Sequence, residues 1–123
     1  MRYLTIEEIL DIVQKHVGRC EFLNESRLLY MLEAVEAKFG VVELYPTLFQ
    51  KAAVYAHHII TGHVFLDGNK RAGLSCALRF LEVNGLERSV GIDDEIIALG
   101  LEIADGTLDD IEAIAERLQA LFF

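Results

Sequence analysis

The sequence predicts an all-α fold: one domain over residues 1–123, about six helices and a single short extended segment. Three observations lead there. Apolar residues recur at three- and four-residue spacing along nearly the whole chain, in blocks bounded by capping residues and glycines. Pro46 is the one proline, so little interrupts the helical runs. No linker, repeat or low-complexity stretch divides the chain, and at this length a single core buries about two-thirds of the surface that the unfolded chain exposes.

The elements follow in order. Thr5 with Glu8 forms a capping box for the first helix, which turns Ile6, Ile9, Leu10 and Val13 inward. Asn24 caps a second helix carrying Leu28, Leu29, Leu32, Val35 and Phe39, stopped by Gly40. Val41 to Tyr45 breaks the helical period, and its β-branched residues favour a short strand or hairpin arm. Pro46 starts a third helix that runs to about Thr61 and ends at Gly62. A fourth opens near Asn69, carries Leu74, Ala77, Leu78 and Leu81, and stops at Asn84 and Gly85. A fifth covers Asp93 to about Ala104. Gly106 breaks it, and Thr107 with Asp110 caps a sixth that reaches the C-terminus. The third and fourth helices are apolar around much of their circumference, which predicts a central pair wrapped by the others.

Composition excludes several functions. No apolar run approaches the ~20 residues of a membrane span, and the N-terminus, with Glu7 and Glu8 close behind Met1, does not read as a secretory signal. Cys20 and Cys76 are too few for a disulfide framework or a zinc site, which points to reduced thiols and a cytoplasmic setting. The net charge of −9 argues against binding to a nucleic-acid backbone. The acid is concentrated from Asp93 to Glu116, a stretch without Lys or Arg. Its plain reading is a solvated helical face; its sharper one is a docking surface for a basic partner.

Against this background the loop His63-Val64-Phe65-Leu66-Asp67-Gly68-Asn69-Lys70-Arg71 stands apart. It opens the fourth helix, whose N-terminus offers free N–H groups and the positive dipole end. Two cations there are unfavourable with the dipole unless an anion joins them, and a phosphate is the natural guest. Asp67 is a candidate ligand for the magnesium that accompanies nucleotide phosphates, although Asp-Gly is also a turn signal. His63 is the candidate catalytic base, because imidazole ordinarily titrates near neutral pH. Gly68 would let the backbone approach phosphates, and Asn69 is either an N-cap or a ligand. Phe65 and Leu66 read as apolar anchors that fix where His63 points.

Other residues are weaker candidates. Arg71, Ser75 and Arg79 share a face of the fourth helix, with Ser75 a candidate nucleotide contact and Arg79 a partner for Glu82. His57 and His58 read as satisfied histidines of an apolar helix, and Cys76 as core.

At these residues the chain resembles the Fic/Doc family, whose signature is His-x-Phe-x-Asp-Gly/Ala-Asn-x-Arg. Lys70 in the variable place makes it similar to the Doc (death on curing) branch, as do Tyr45-Pro46, Lys51-Ala52-Ala53, Ala72-Gly73-Leu74 and the chain length. The resemblance implies a Fic/Doc-type helical fold with the motif loop between two central helices. It also implies ATP and Mg²⁺, with His63 as general base and Asp67 as magnesium ligand. Asn69, Lys70 and Arg71 become phosphate ligands, and Gly40 to Tyr45 an extended flap that pairs with a target peptide. AMP-transferring members usually have glycine at position 70. A lysine there goes with an inverted nucleotide and γ-phosphoryl transfer. Doc-like proteins are typically toxins held by an antitoxin and act on the translation machinery, an elongation factor being the kind of target implied. The inhibitory Ser/Thr-x-x-x-Glu motif of other members does not occur, so restraint would come from a partner. Val64 replaces the proline frequent after the histidine, with little effect expected on an extended backbone.

Three alternatives remain beside phosphoryl transfer. One is AMP transfer to a protein hydroxyl. Another is a metal-dependent phosphohydrolase built on His57, His58, His63 and Asp67. The last is a non-catalytic helical module that binds a partner through its acidic region.

Overall fold

The computed structural model describes residues 1–88 and 91–122. These form six helices: α1 (Ile6–Val17), α2 (Glu25–Ala34), α3 (Leu48–Thr61), α4 (Asn69–Val83), α5 (Asp93–Ala104) and α6 (Ile111–Phe122). Two short strands, β1 (Lys38–Phe39) and β2 (Val42–Glu43), pair antiparallel between α2 and α3. Among the described residues no helix is long and apolar enough to cross a membrane.

The central pair is α3 and α4. Helix α3 buries every residue from Lys51 to Ala56, then Ile59 and Ile60. Helix α4 buries Ala72 to Leu74, Cys76 to Leu78, Phe80 and Leu81. Helices α2, α5 and α6 pack on α3, and α1 and α5 pack on α4. The two central helices approach closely at Gly73, where an added Cβ would lie 2.8 Å from Ile60 Cγ1 and 3.0 Å from the Ala56 carbonyl oxygen. Only glycine admits that approach without a shift. Tyr55 fills the middle of the core, with its ring 5.1 Å from that of Phe80 and its hydroxyl accepting the Leu4 N–H at 3.1 Å.

Several elements form for the reasons the sequence offers. The Thr5–Glu8 capping box is present in both directions, at 3.0 and 3.1 Å. Helix α5 has the expected bounds, and Asn84 follows α4, exchanging hydrogen bonds with the Arg2 backbone at 2.7 and 2.8 Å.

The second helix differs. It ends at Ala34, short of Gly40. Its inward stripe is Leu28, Met31 and Val35, all fully buried, whereas Leu29 is 49% exposed. Apolar residues occupy two adjoining faces of this segment, and periodicity alone cannot say which one meets α3. Phe39, expected on the helix, lies in β1 and is 83% exposed. Gly40 does not stop a helix; at φ 65° it turns a hairpin in which Phe39 faces Val42 and Lys38 faces Glu43. A two-residue loop that opens with a left-handed glycine matches the twist of the strands.

The other starts shift slightly. Pro46 lies just outside α3, whose N-cap is Thr47. A second capping box closes there: Gln50 N–H donates to Thr47 Oγ1 at 3.1 Å, and Thr47 N–H donates to Gln50 Oε1 at 3.0 Å. Reciprocal satisfaction of two orphan donors outweighs the mild preference for proline in the first turn. Helix α6 starts at Ile111, with the Asp110 carboxylate accepting from Ala113 N–H at 3.3 Å. Thr107 belongs to the preceding turn, its N–H bonded to Asp105 at 2.8 Å. The predicted end of the sixth helix at Phe123 lies outside the described residues.

Candidate active site

The loop between α3 and α4 begins at Gly62, whose N–H closes α3 on the His58 carbonyl at 3.0 Å. His63 follows with φ 48°, the one positive φ at a non-glycine among the described residues. A left-handed histidine persists only where its neighbours fix it, and here they do. Val64 and Phe65 are fully buried on its C-terminal side. A strand-like stretch before α2 grips them: the Val64 carbonyl accepts the N–H groups of Leu23 and Asn24 at 2.9 and 3.0 Å. The Leu66 N–H donates to the Glu21 carbonyl at 2.8 Å, and the Phe22 and Phe65 rings stack 5.4 Å apart.

The loop is also tied from within. Asn69 accepts the Phe65 N–H and donates to the Phe65 carbonyl, both at 2.9 Å. Its carboxamide therefore shapes the loop. The N-cap of α4 is Gly68, not Asn69. Gly68 has φ 73°, and a Cβ there would lie 2.5 Å from Val17 Cγ1. The end of α1 thus closes on the loop where only glycine fits. Arg71 completes the junction, with Nη1 donating to the His16 carbonyl at 3.2 Å.

These constraints bring His63, Asp67, Gly68, Asn69, Lys70, Arg71 and Ser75 onto one cleft of about 1580 Å³ between α1, α4 and α5. His63, Asp67, Lys70 and Arg71 are exposed to it, and Asn69 and Ser75 are half-buried. The Ala72 N–H is the first amide of α4 to find its carbonyl, that of Gly68 at 2.8 Å. The three preceding amides, of Asn69, Lys70 and Arg71, have no acceptor within the helix. Three amides, a dipole end and two cations make a site for a multiply charged anion. Asp67 beside it supplies a carboxylate, and His63 a group able to accept a proton.

Of the other candidates, Arg79 lines the same cleft and the rest fall elsewhere. His57 Nε2 lies 2.9 Å from Asp109 Oδ1, and His58 donates from Nδ1 to the Val54 carbonyl at 3.1 Å while stacking on Tyr30. Burial, and next the neighbouring His57, hold the His58 pKa below its ordinary value. Among the described residues no group of three or more His, Cys, Asp and Glu side chains is placed to hold a metal, so His57, His58, His63 and Asp67 do not assemble into one centre. Leu66, expected as an anchor, is 47% exposed. Its backbone holds the loop and its side chain does not. Arg79 pairs with Glu82 at 3.6 Å, and Glu82 also holds Arg88 at 3.3 Å. Cys76 is buried, which pushes its thiol up to about 12. The β1–β2 hairpin does not line the cleft.

Sequence reasoning missed the stretch Glu21 to Asn24, Val17 and Gly100. Residues 21–24 have no helical period and give no sign of their partner across the loop. Gly100 did carry a signal, as a glycine inside a helix marks a close approach. A Cβ there would lie 2.8 Å from Leu74 Cδ1 and 3.7 Å from Lys70 Cβ, so α5 packs against the base of Lys70.

The chain is similar to known proteins. The chain is 29% identical over 126 residues to "Protein kinase doc" of Escherichia phage P1, covering 99% of this chain and 97% of that protein. It is 37% identical over 125 residues to "Toxin Doc" of Mycolicibacterium smegmatis, covering 94% and 90%. Residues 3–81, which contain the loop, both central helices but the end of α4, and the hairpin, match the model of the Fic/DOC family. This chain belongs to the Fic/DOC family.

Proposed function

We propose that this protein is an ATP-dependent phosphotransferase that moves the γ-phosphoryl group onto a hydroxyl of a target protein. The observation that carries the reading is Lys70. It is the second residue of α4, its stem packed near Gly100, and it lines the same cleft as His63. The AMP-transferring members of the family usually have glycine at this place, and a lysine fills the room that the terminal phosphates would take.

On this reading each residue of the cleft has a role. His63 takes the proton of the target hydroxyl. The freed oxygen bonds to the γ-phosphorus, the bond from that phosphorus to the bridging oxygen breaks, and ADP leaves. The backbone amides of Asn69, Lys70 and Arg71 and the two cationic side chains hold the phosphates and offset the charge on the transferred oxygens. Gly68 keeps the approach open, and Ser75, one turn along α4, contacts the nucleotide. One exposed carboxylate beside a phosphate site is the donor set that magnesium takes, so Asp67 fits as its ligand. When bound, the ion would neutralise part of the phosphate charge.

The hairpin is the docking edge for the target in extended form. The names of the two relatives support a kinase that serves as a toxin. On that reading an antitoxin restrains it in trans, and the target belongs to the translation machinery of the cytoplasm, an elongation factor being the first to try.

The test uses two labels. The purified protein is incubated with bacterial lysate and magnesium, once with ATP labelled at the γ-phosphate and once at the α-phosphate. A protein band labelled from γ only is expected, and His63→Ala should abolish it while the protein stays folded. A band labelled from α would establish AMP transfer and overturn the reading of Lys70.

A further inference from the structure

One charged side chain plays no part in the site described above. Lys51, in the first turn of α3, is fully buried. An ammonium inside a core is tolerated only where it is paired and hydrogen-bonded. Lys51 Nζ lies 3.1 Å from Glu43 Oε1 on β2 and 3.3 Å from the Val35 carbonyl at the end of α2. It also sits 5.4 Å from the centroid of the Tyr3 ring. One nitrogen thus joins α3, α2, the N-terminal segment and the hairpin.

The hairpin needs such an attachment. Each strand has two residues, and a two-stranded hairpin alone is marginal in water. Its apolar side chains do not anchor it: Phe39 is 83%, Val41 94% and Val42 65% exposed. Its base is held by the Leu44 N–H on the Ala37 carbonyl at 3.0 Å and by half-buried Tyr45. Glu43 is the residue of β2 that turns inward, and it turns onto Lys51.

The helix bearing Lys51 also ends at the motif loop. Ten residue steps along α3 lead from Lys51 to Thr61, or about 15 Å of rigid helix. Helix α2 runs the opposite way: Asn24, which precedes it, is bonded to the Val64 carbonyl, while Val35 at its end meets Lys51. The hairpin base and the candidate base are therefore fixed to opposite ends of one rod. An extended peptide covers that separation in about five residues.

We infer that the ion pair between buried Lys51 and partly exposed Glu43 is a positioning device that holds the hairpin at a fixed place relative to His63, and so sets the affinity for the target polypeptide. This rests on the hairpin being the target's docking edge. Lys51 touches neither nucleotide nor reacting atoms.

The test compares the parent with Lys51→Met and Glu43→Gln. Glu43→Gln acts at a partly exposed carboxylate and covers the case in which Lys51→Met fails to fold. Amide exchange of Val42, Glu43 and Leu44 is measured beside that of α4. Steady-state transfer is measured with varied target and with varied ATP. The expected result is exchange at least about tenfold faster in the hairpin alone, a rise in KM for the target of about tenfold, and an unchanged kcat and KM for ATP. Hairpin exchange equal to the parent's in the folded variants would overturn the positioning role. Faster hairpin exchange with an unchanged KM for the target would overturn the link to affinity; in that case the docking assignment fails and the phosphotransferase reading stands.

Discussion

At position 63 function and conformational comfort oppose each other. A left-handed histidine costs on the order of 1 kcal/mol or more, and glycine removes that strain at some cost in chain entropy. His63→Gly is therefore expected to raise stability by about 0.5 kcal/mol in urea melts while abolishing transfer. A loss above about 1 kcal/mol would mean that the side chain is a structural contact. Asn69 is the opposite case. Removing its carboxamide leaves the N–H and the carbonyl of Phe65 without their partner, so Asn69→Ala should cost about 2–3 kcal/mol. Equilibrium unfolding checks this, and an unchanged midpoint would count against the loop-shaping role. The identity of Asn69 was legible in the motif, yet its role was not. Spacing cannot reveal that both halves of an amide turn back on the residue four positions earlier.

At the scale of elements, the Thr5–Glu8 box and the glycine after α3 were legible because each acts within four residues. Other caps were not: Asn24 precedes α2 without a side-chain cap bond, and the Thr47–Gln50 box replaced the expected start at Pro46. The face of α2 was not legible, since Leu28, Leu29, Leu32 and Met31 could form more than one stripe and only contact with α3 selects among them. The hairpin lay between these cases: its β-branched residues read correctly as extended, while Phe39 read wrongly as helix and Gly40 as the residue that stops it. The contact of α3 with α4 supplies the prediction for this scale. Gly73→Ala drives a methyl against Ile60 and the Ala56 carbonyl, the second of which belongs to a rigid backbone. A destabilisation of about 1–3 kcal/mol is expected. Ile60→Val in the same chain should recover only part of it, as measured by thermal melts of the single and double variants.

Across the whole molecule, an acidic chain of net charge −9 places two adjacent cations, Lys70 and Arg71, where α4 begins. That contrast favours a small, dense anion over a nucleic-acid backbone. The remaining acid is largely solvated, with Glu102 paired to Arg117 at 2.6 Å. Stability should depend on pH through His58. Burial and then His57 lower its pKa in the folded chain. Above the ordinary histidine value, about 6.5, both states are neutral and its contribution is complete. As the pH falls below that, the unfolded chain takes up a proton that the folded chain refuses. The contribution is lost as the pH passes the lowered folded value. The melting temperature should thus fall between pH 7.5 and 5, and fall less in His58→Gln. Equal slopes for the two proteins would sink the assignment.

By itself the sequence determined the helical class, the number and approximate bounds of the helices, the placing of the loop between two apolar helices, and the residue types gathered in that loop. All of these depend on interactions reaching a few residues along the chain, or on residue types whose chemistry is the same in any fold. The tertiary structure decided which face of α2 is inward, that residues 21–24 clamp the motif loop, that Val17 and Gly100 shape the cleft, and that a buried lysine anchors the hairpin. Each of these joins residues far apart in sequence. Their energies come from packing and from satisfying buried polar groups, and those terms exist only once the chain has closed on itself.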